Sequence, residues 1–278
     1  MSEAQQRGWG DEKTVAARRK WYAQYIAFSR AATEAIVGAA AVRPGLEVLD
    51  LASGTGEPAL SLAAAVGPAG RVTATDIEPG PLAIAEESAA QRGLANLIFR
   101  QADAQALLFP DQSFDRVTCR FGVMFFPDHV RALRECRRVL KPGGRAVYVA
   151  WGPSEQPVYQ TTVGILLKYV QAPPRHPDAP HPFKFSEPGK LGRALEQASF
   201  DSVQEELRTI PMVWTGPPEQ FWEQFTETSV AFRPLIEALS GKARDNAVRE
   251  IHAAIGKYYD GRQINFPGVI VLATGTRR

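Results

Sequence analysis

Apolar and polar positions along this chain change period at regular intervals. Between residues 44 and 152, short apolar runs alternate with longer segments whose apolar positions recur every three to four residues. The short runs read as buried strands and the longer segments as helices packed on one side. The pattern predicts strands at 46–51, 71–76, 96–101, 114–120 and 145–151, with helices at 57–66, 79–92 and 128–140. Strands alternating with helices at this spacing predict a parallel sheet covered on both faces. Between the third and fourth strands, Ala104-Gln105-Ala106-Leu107-Leu108 leaves room for only a turn or two before Pro110.

The flanks read differently. Residues 11–42 predict one or two helices, with a stripe of Trp21, Tyr22, Tyr25, Ile26 and Phe28 ahead of an alanine-rich run that Pro44-Gly45 stops. After 152 come an apolar helix over 158–170 and a loop from Pro173 to Pro182 that carries His176 and His181. A helix over 187–199, a strand near 203–211, two aromatic- and charge-rich helices over 217–259 and a short strand at 268–274 complete the chain. The organisation this implies is a helical cap (1–43), an α/β core (44–152) and a helical lid (153–278) that also holds the remaining core helix and the last two strands. All of it is expected to form a single compact domain.

Composition narrows the function classes. Hydrophobic content of 45% and charge of 22% are those of an ordinary globular protein. A net charge of +2 is too small for a surface that grips a phosphate backbone. The basic group Arg131, Arg134, Arg137, Arg138 and Lys141 is interrupted by Glu135 and reads as a solvated helix face. Two cysteines, Cys119 and Cys136, are too few for a disulfide scaffold or a metal cluster, and no metal site is expected. Cys119 lies in an apolar strand and reads as a buried thiol. No run is long and apolar enough to span a bilayer, and the N-terminus has no apolar targeting core. A reducing, cytoplasmic setting is the expectation.

The chemistry concentrates at Val48-Leu49-Asp50-Leu51-Ala52-Ser53-Gly54-Thr55-Gly56. This run reads as a strand ending in an acid, then a glycine turn, then a helix with Pro58 in its first turn. A glycine turn lets a ligand approach the backbone, because no side chain stands in the way. The glycines and Asp76, about twenty residues on, also fit the GxGxxA form of the dinucleotide fingerprint. Alone they do not separate a nicotinamide enzyme from an S-adenosylmethionine enzyme.

Three further segments separate them. Asp50-x-x-x-Gly54-x-Gly56 resembles motif I of the class I S-adenosylmethionine-dependent methyltransferases. Thr73-Ala74-Thr75-Asp76-Ile77-Glu78-Pro79 resembles the end of their second strand, and Gln101-Ala102-Asp103-Ala104 the acid after their third. Arg138-Val139-Leu140-Lys141-Pro142-Gly143-Gly144-Arg145 resembles the turn before their fifth strand. The four occur in family order over roughly residues 45 to 151, and the closest likeness is to the ubiquinone/menaquinone-biosynthesis type.

The resemblance implies a Rossmann-like, doubly wound α/β fold: a seven-stranded sheet with an antiparallel last strand, plus helical lid insertions. It implies S-adenosyl-L-methionine as cofactor, with S-adenosyl-L-homocysteine as product. Asp50 would lie near the cofactor's amino group or brace the glycine loop, and Ala52, Gly54 and Gly56 would contact the methionine part through backbone atoms. Asp76 would accept the ribose hydroxyls, Ile77 would lie against adenine, and Asp103 and Ala104 would read the adenine edge. The backbone of Arg120 or Phe121 would meet the methionine end, although a packing role for Phe121 fits equally well. Tyr22 and Tyr25, on a helix ahead of the first strand, would cover the cofactor, since an aromatic face attracts a sulfonium.

No residue stands out as a general base; His181, His176 and Tyr22 are the candidates. The aromatic-rich region after 150 suits either an apolar or planar small-molecule acceptor or the lid's own core. The implied activity is methyl transfer to an O, C or N nucleophile of such a molecule, without nucleic-acid partners or stable membrane insertion. An RNA or protein methyltransferase and a non-catalytic S-adenosylmethionine-binding protein are the alternatives.

Overall fold

The computed structural model describes residues 8–172 and 179–278. The chain divides into two compact units. A sheet unit gathers Ala32–Gly152, Pro180–Arg208 and Ile270–Arg278, and a helical unit gathers the described residues of Met1–Ala31, Pro153–Ala179 and Thr209–Val269. The strands are β1 (Glu47–Leu51), β2 (Arg71–Asp76), β3 (Leu97–Gln101), β4 (Phe114–Arg120), β5 (Leu140–Trp151), β6 (Asp201–Thr215) and β7 (Gln263–Thr276). Among the described residues the first six helices are α1 (Glu12–Lys20), α2 (Tyr22–Phe28), α3 (Arg30–Ala40), α4 (Ala59–Val66), α5 (Pro79–Gln91) and α6 (His129–Val139). The rest are α7 (Pro157–Gln160), α8 (Val163–Tyr169), α9 (Lys190–Gln197), α10 (Pro218–Thr228), α11 (Arg233–Glu237) and α12 (Gly241–Gly256).

The sheet has seven strands in the order β3-β2-β1-β4-β5-β7-β6. The first five in sequence run parallel, and β7 runs antiparallel to β5, from Arg145 opposite Thr276 to Trp151 opposite Ile270. This is the expected Rossmann-like arrangement. Strand order reverses between β1 and β4, which is where open α/β sheets of this kind bind ligands. Central strands can be this apolar because both faces are covered: β1 is buried from Val48 to Leu51. Helix α4 packs on β2, α5 on β2 and β3, and α6 on β5 and α9. Leu49, Leu51, Val117, Met124, Leu133, Tyr148, Phe185 and Leu195 belong to one continuous core. Asp128 caps α6 by accepting from the Arg131 N–H at 2.9 Å, and Glu205 on β6 accepts from the Gly189 and Gly192 N–H groups at the start of α9.

In the helical unit, α10 packs on α1 and α12, and α8 on α11 and α12. Its interior is a relay of aromatic rings: Trp21 on Trp214, Trp214 on Phe221, Phe221 on Phe28 and Phe266, with centroids 5.4–5.8 Å apart. Trp222, Phe225, Phe232 and Tyr159 form a second such relay. A cavity of about 270 Å³ in this unit is lined by Trp222, Ile236, Leu239 and His252 among others, and none of the expected cofactor residues lines it. No helix among the described residues is long and apolar enough to cross a membrane.

Several boundaries differ from the sequence expectation for identifiable reasons. The turn expected at 141–144 lies inside β5, which already starts at Leu140 beside Phe114; the register shift there and Gly143 at φ +76° mark a bulge. The helix expected over 158–170 is broken at Thr161-Thr162, whose hydroxyls donate to the Pro157 and Val158 carbonyls. The N-terminal segment makes three helices rather than one or two, divided at Trp21 and Ser29. The last two strands are longer than their apolar stretches, because the exposed middle of β6 carries no alternation to read.

Candidate functional site

Parallel strands deliver their last residues to one edge of the sheet. Asp50 is the penultimate residue of β1, Asp76 ends β2, Arg120 ends β4, and Asp103 lies two residues past β3. The loop leaving β1 holds three left-handed residues within five, Ala52 (φ +51°), Gly54 (φ +53°) and Gly56 (φ +115°). The two glycines are needed for different reasons. A Cβ on Gly56 would stand 2.7 Å from Leu60 Cδ1 and 3.1 Å from Ala85 Cβ, so glycine lets the loop pass between α4 and α5. A Cβ on Gly54 would meet nothing within 4 Å, so the backbone there borders open space.

Hydrogen bonds fix this loop to β2. The Ser53 N–H donates to the Thr75 carbonyl at 2.9 Å, and the Thr75 N–H donates back to Ser53 Oγ at 3.1 Å. The Gly54 N–H donates to Asp76 Oδ2 at 2.8 Å, and the Glu78 N–H donates to Asp76 Oδ1 at 3.0 Å. A carboxylate offers about four acceptor positions, more than these two bonds use. Asp76 is thereby oriented by the loop it helps to hold.

Asp50 is fully buried. Its Oδ1 accepts from Thr118 Oγ1 at 2.6 Å, and its Oδ2 is buried without a hydrogen-bond partner among the described residues. Burial pushes its carboxyl up to about 7, against the opposing pull of the Thr118 bond, the Ser53 hydroxyl and the Arg120 charge. Arg120 is 9% exposed; its Nε and Nη2 donate to the Glu57 carbonyl at 3.2 and 3.1 Å, and its Nη1 is buried without a hydrogen-bond partner among the described residues. Leaving a buried polar atom unpaired costs roughly 1–3 kcal/mol, more for a charged group. An open-backed glycine turn, an acid bonded to that turn and a buried acid with one unpartnered oxygen fit a nucleoside with a cationic tail, as the resemblance implies.

The other expected residues fall around this edge or away from it. Ile77, directly after Asp76, is 51% exposed, and its carbonyl accepts from Gln101 Nε2 at 2.9 Å. Asp103 is exposed and accepts from the Gln105 N–H at 2.8 Å, while Ala104 is buried behind it. Phe121 takes φ +59° and stacks on Trp151 with centroids 3.9 Å apart and planes 15° apart. Gly122 follows because a Cβ there would run into the Ala52 methyl.

The candidate bases separate. The His181 Nδ1 accepts from the Phe183 N–H at 3.1 Å, so in the neutral ring the proton sits on Nε2. Acting as a base through Nδ1 would break that bond. His176 lies outside the described residues. Tyr22 and Tyr25 lie on α2 in the helical unit, and the Tyr22 hydroxyl is buried without a partner among the described residues. Burial pushes the Cys136 thiol up to about 12 and the Cys119 thiol well above its usual range, so neither is a ready nucleophile.

Sequence reasoning missed three participants: Thr118, the Arg120 side chain and Glu57. Thr118 and Arg120 are polar positions two apart that alternate with Val117 and Cys119 at the carboxyl end of β4, and that alternation was a usable signal. Glu57 is 6% exposed, with Oε1 paired to Arg92 Nη1 at 2.9 Å and Oε2 accepting from Ser61 Oγ at 2.6 Å. Nothing in its local sequence distinguishes it from a surface acid.

Comparison with known proteins bears on the same segment. The family model described as the ubiE/COQ5 methyltransferase family matches residues 26–172. The chain is 43% identical over 122 residues to the ubiquinone/menaquinone biosynthesis C-methyltransferase UbiE of Bordetella avium, covering 44% of this chain and 47% of that protein. It is 39% identical over 129 residues to the demethylmenaquinone methyltransferase of Staphylococcus aureus, covering 46% and 53%. The chain thus spans about half the length of the curated relatives it matches. Among solved structures, the YcgJ protein of Bacillus subtilis aligns with a TM-score of 0.57 at 24% identity, covering 88% of this chain and 97% of that one, which shows a shared fold.

Proposed function

Because the chain belongs to the ubiE/COQ5 methyltransferase family, we propose that it transfers a methyl group from S-adenosylmethionine to a small apolar or aromatic acceptor. The reading extends to a ring carbon of a hydroxylated, quinone-type acceptor, by analogy with the names of its relatives. One observation carries the methyl-transfer part. The open-backed turn at Gly54, bonded to Asp76 and followed across the edge by the buried Asp50, lies within the segment that matches the family.

When bound, the cofactor supplies a methyl group on a positively charged sulfur, an electrophile that needs no further activation. The chain's work is then alignment and exclusion of water. Asp76, held by two backbone N–H groups, accepts the ribose hydroxyls. Ile77 lies against one face of the adenine, and Asp103 and Ala104 read its edge. Asp50 faces the amino group, and Ala52, Gly54 and Gly56 border the methionine part. The stacked Phe121–Trp151 pair, at the ends of β4 and β5, is a surface of the sheet unit suited to a planar ring.

The test is incubation of the full chain with methyl-labelled S-adenosylmethionine and a short-chain demethylmenaquinol, followed by mass spectrometry. Label on a ring carbon is the expected result. Label only on an oxygen or nitrogen of other acceptors would keep methyl transfer and overturn the acceptor. Calorimetric binding of NAD, with none of S-adenosylmethionine or S-adenosylhomocysteine, would overturn the whole reading.

A further inference from the structure

We infer that the outer edge of β6 is a self-association surface, across which two copies of this chain pair antiparallel about Leu207. The surface is separate from the cofactor edge. Strands β4, β5 and β7 stand between β1 and β6, and none of Glu206, Leu207 and Arg208 has a part in the methyl-transfer reading.

Strand β6 closes one side of the sheet, with β7 as its neighbour. It is 15 residues long, where strands of about five or six are usual. Four successive residues, Glu206 to Thr209, are exposed, so neither face of the strand is covered there. Among the described residues, no backbone bond outside the sheet reaches 202–209. Outward N–H and C=O groups on such an edge are a template for another strand. Leu207, 45% exposed, is one of four large apolar side chains left so open among the described residues.

Charge on an edge strand is ordinarily a protection, because like charges meet when two copies approach. Here the signs are arranged the other way. Glu206 and Arg208 lie two apart on one face of β6 and bond each other within the chain. A two-fold axis through Leu207 sets Glu206 opposite the partner's Arg208 and Arg208 opposite the partner's Glu206, all on that face. Four charges of alternating sign then replace two isolated pairs, and Leu207 meets the partner's Leu207 on the other face. An axis through Glu206 or Arg208 would set like charges opposite one another, so the charges also select the register.

The neighbouring positions bring no repulsion. Glu205 stands opposite the partner's Thr209, and its carboxylate is already committed to the Gly189 and Gly192 N–H groups. Gln204 stands opposite the partner's Ile210. The two features that would interrupt a ladder lie just outside this window: Ser202, at φ +49°, and Pro211, which has no N–H to give. So short a ladder buries less area than permanent dimers do, which makes the association weak and reversible.

The experiment is sedimentation-velocity ultracentrifugation of the full chain from about 1 to about 200 μM. The wild type is expected to pass from monomer to dimer within that range. Arg208→Glu would gather four acids at the axis and Glu206→Arg four cations, and each should weaken the dimer at least tenfold. Mixed one to one, the two variants should associate at least as tightly as the wild type, because every facing pair is again opposite in sign. A wild type that stays monomeric throughout overturns the inference and leaves the edge to an extended segment of another protein. A dimer that both variants leave intact overturns it by placing the interface elsewhere, and so does a mixture that fails to associate. If a charge variant does not fold, Leu207→Cys carries the test. Cys119 and Cys136 are buried, so a bismaleimide should join two chains through position 207 at least tenfold faster than in Leu108→Cys, a more exposed control. Equal rates overturn the inference.

Discussion

The carboxyl edge of the sheet and the interior of the helical unit solve opposite problems. In the helical unit, rings meet rings: Trp214 and Phe221 are essentially without exposure and pack edge-on at 80°. Its charges stay at the rim, as where Arg233 pairs with Asp11 at 2.8 Å. At the sheet edge, by contrast, two ionisable side chains, Asp50 and Arg120, are buried, Ala52 and Phe121 hold positive φ, and Ile77 is half exposed. Backbone strain and buried charge gather at functional sites because a ligand completes them. The aromatic region, which the sequence left open between an acceptor surface and the lid's own core, packs ring on ring as a core. The few polar residues among apolar strands are what mark a binding site.

The largest predicted effect tests the first half of this contrast. Trp214→Ala should destabilise the protein by about 3–5 kcal/mol, the range for emptying a buried aromatic site, read as a lower denaturation midpoint. A loss under about 1 kcal/mol would mean that the ring relay contributes little.

The two glycines carry the contrast into the β1 loop. Gly56→Ala should lower stability by about 2–4 kcal/mol, because strain at φ +115° adds to overlap with Leu60. Gly54→Ala should cost the fold only about 1 kcal/mol, the left-handed penalty for an L-residue, since its methyl meets nothing within 4 Å. It should nevertheless weaken S-adenosylhomocysteine at least tenfold in calorimetry. If Gly54→Ala binds normally, the open space behind that residue is not the ligand's.

Most of the fold was legible in the sequence because two periods, near two and near 3.6, do not resemble each other. The parallel strands were readable from their apolar runs, and three of the five carry a distinctive residue at or next to their carboxyl end: Asp50, Asp76 and Arg120. The division at Thr161-Thr162 was not, since hydroxyl back-bonding leaves the apolar pattern intact. The pairing of Asp50 with Thr118 was invisible because register between strands 68 residues apart depends on the whole sheet. Glu57 was hidden for the same reason, its partner Arg92 lying 35 residues away.

Asp50 sets a pH dependence whose sign is fixed. Its carboxyl lies at about 7 in the ligand-free fold, above the ordinary 3.8. As pH falls through 7 the folded state gains a proton that an unfolded chain, with its carboxyl near 3.8, does not bind, so ligand-free stability rises with acid over that window. A bound ammonium favours the ionised form, so affinity for S-adenosylhomocysteine should fall below pH 7, approaching tenfold per unit. Thr118, Ser53, Arg120, Glu57 and Cys119 surround the group, and Asp50→Asn removes the titrating carboxyl while leaving an isosteric side chain among them. That variant should be at least as stable as the wild type, bind more weakly and lose the pH slope. A wild-type affinity flat from pH 5.5 to 8 would show that Asp50 does not meet the ligand's charge.

The smallest effect expected is at His181. Its Nδ1 accepts the Phe183 N–H, and its own N–H donates to the Met124 carbonyl at 3.2 Å, a backbone bond that substitution does not remove. His181→Ala therefore deletes one side-chain acceptor and should cost about 1 kcal/mol, with S-adenosylhomocysteine affinity changed by less than twofold. The backbone bond to Met124 ties this segment to the 3-10 turn Val123–Phe125 that follows Phe121 and Gly122. A tenfold loss of affinity would therefore mean that the His181 side chain, and not only that backbone tie, shapes the edge. Unchanged binding together with a large fall in methyl transfer would instead place His181 with the acceptor, through Nε2, because Nδ1 is already engaged.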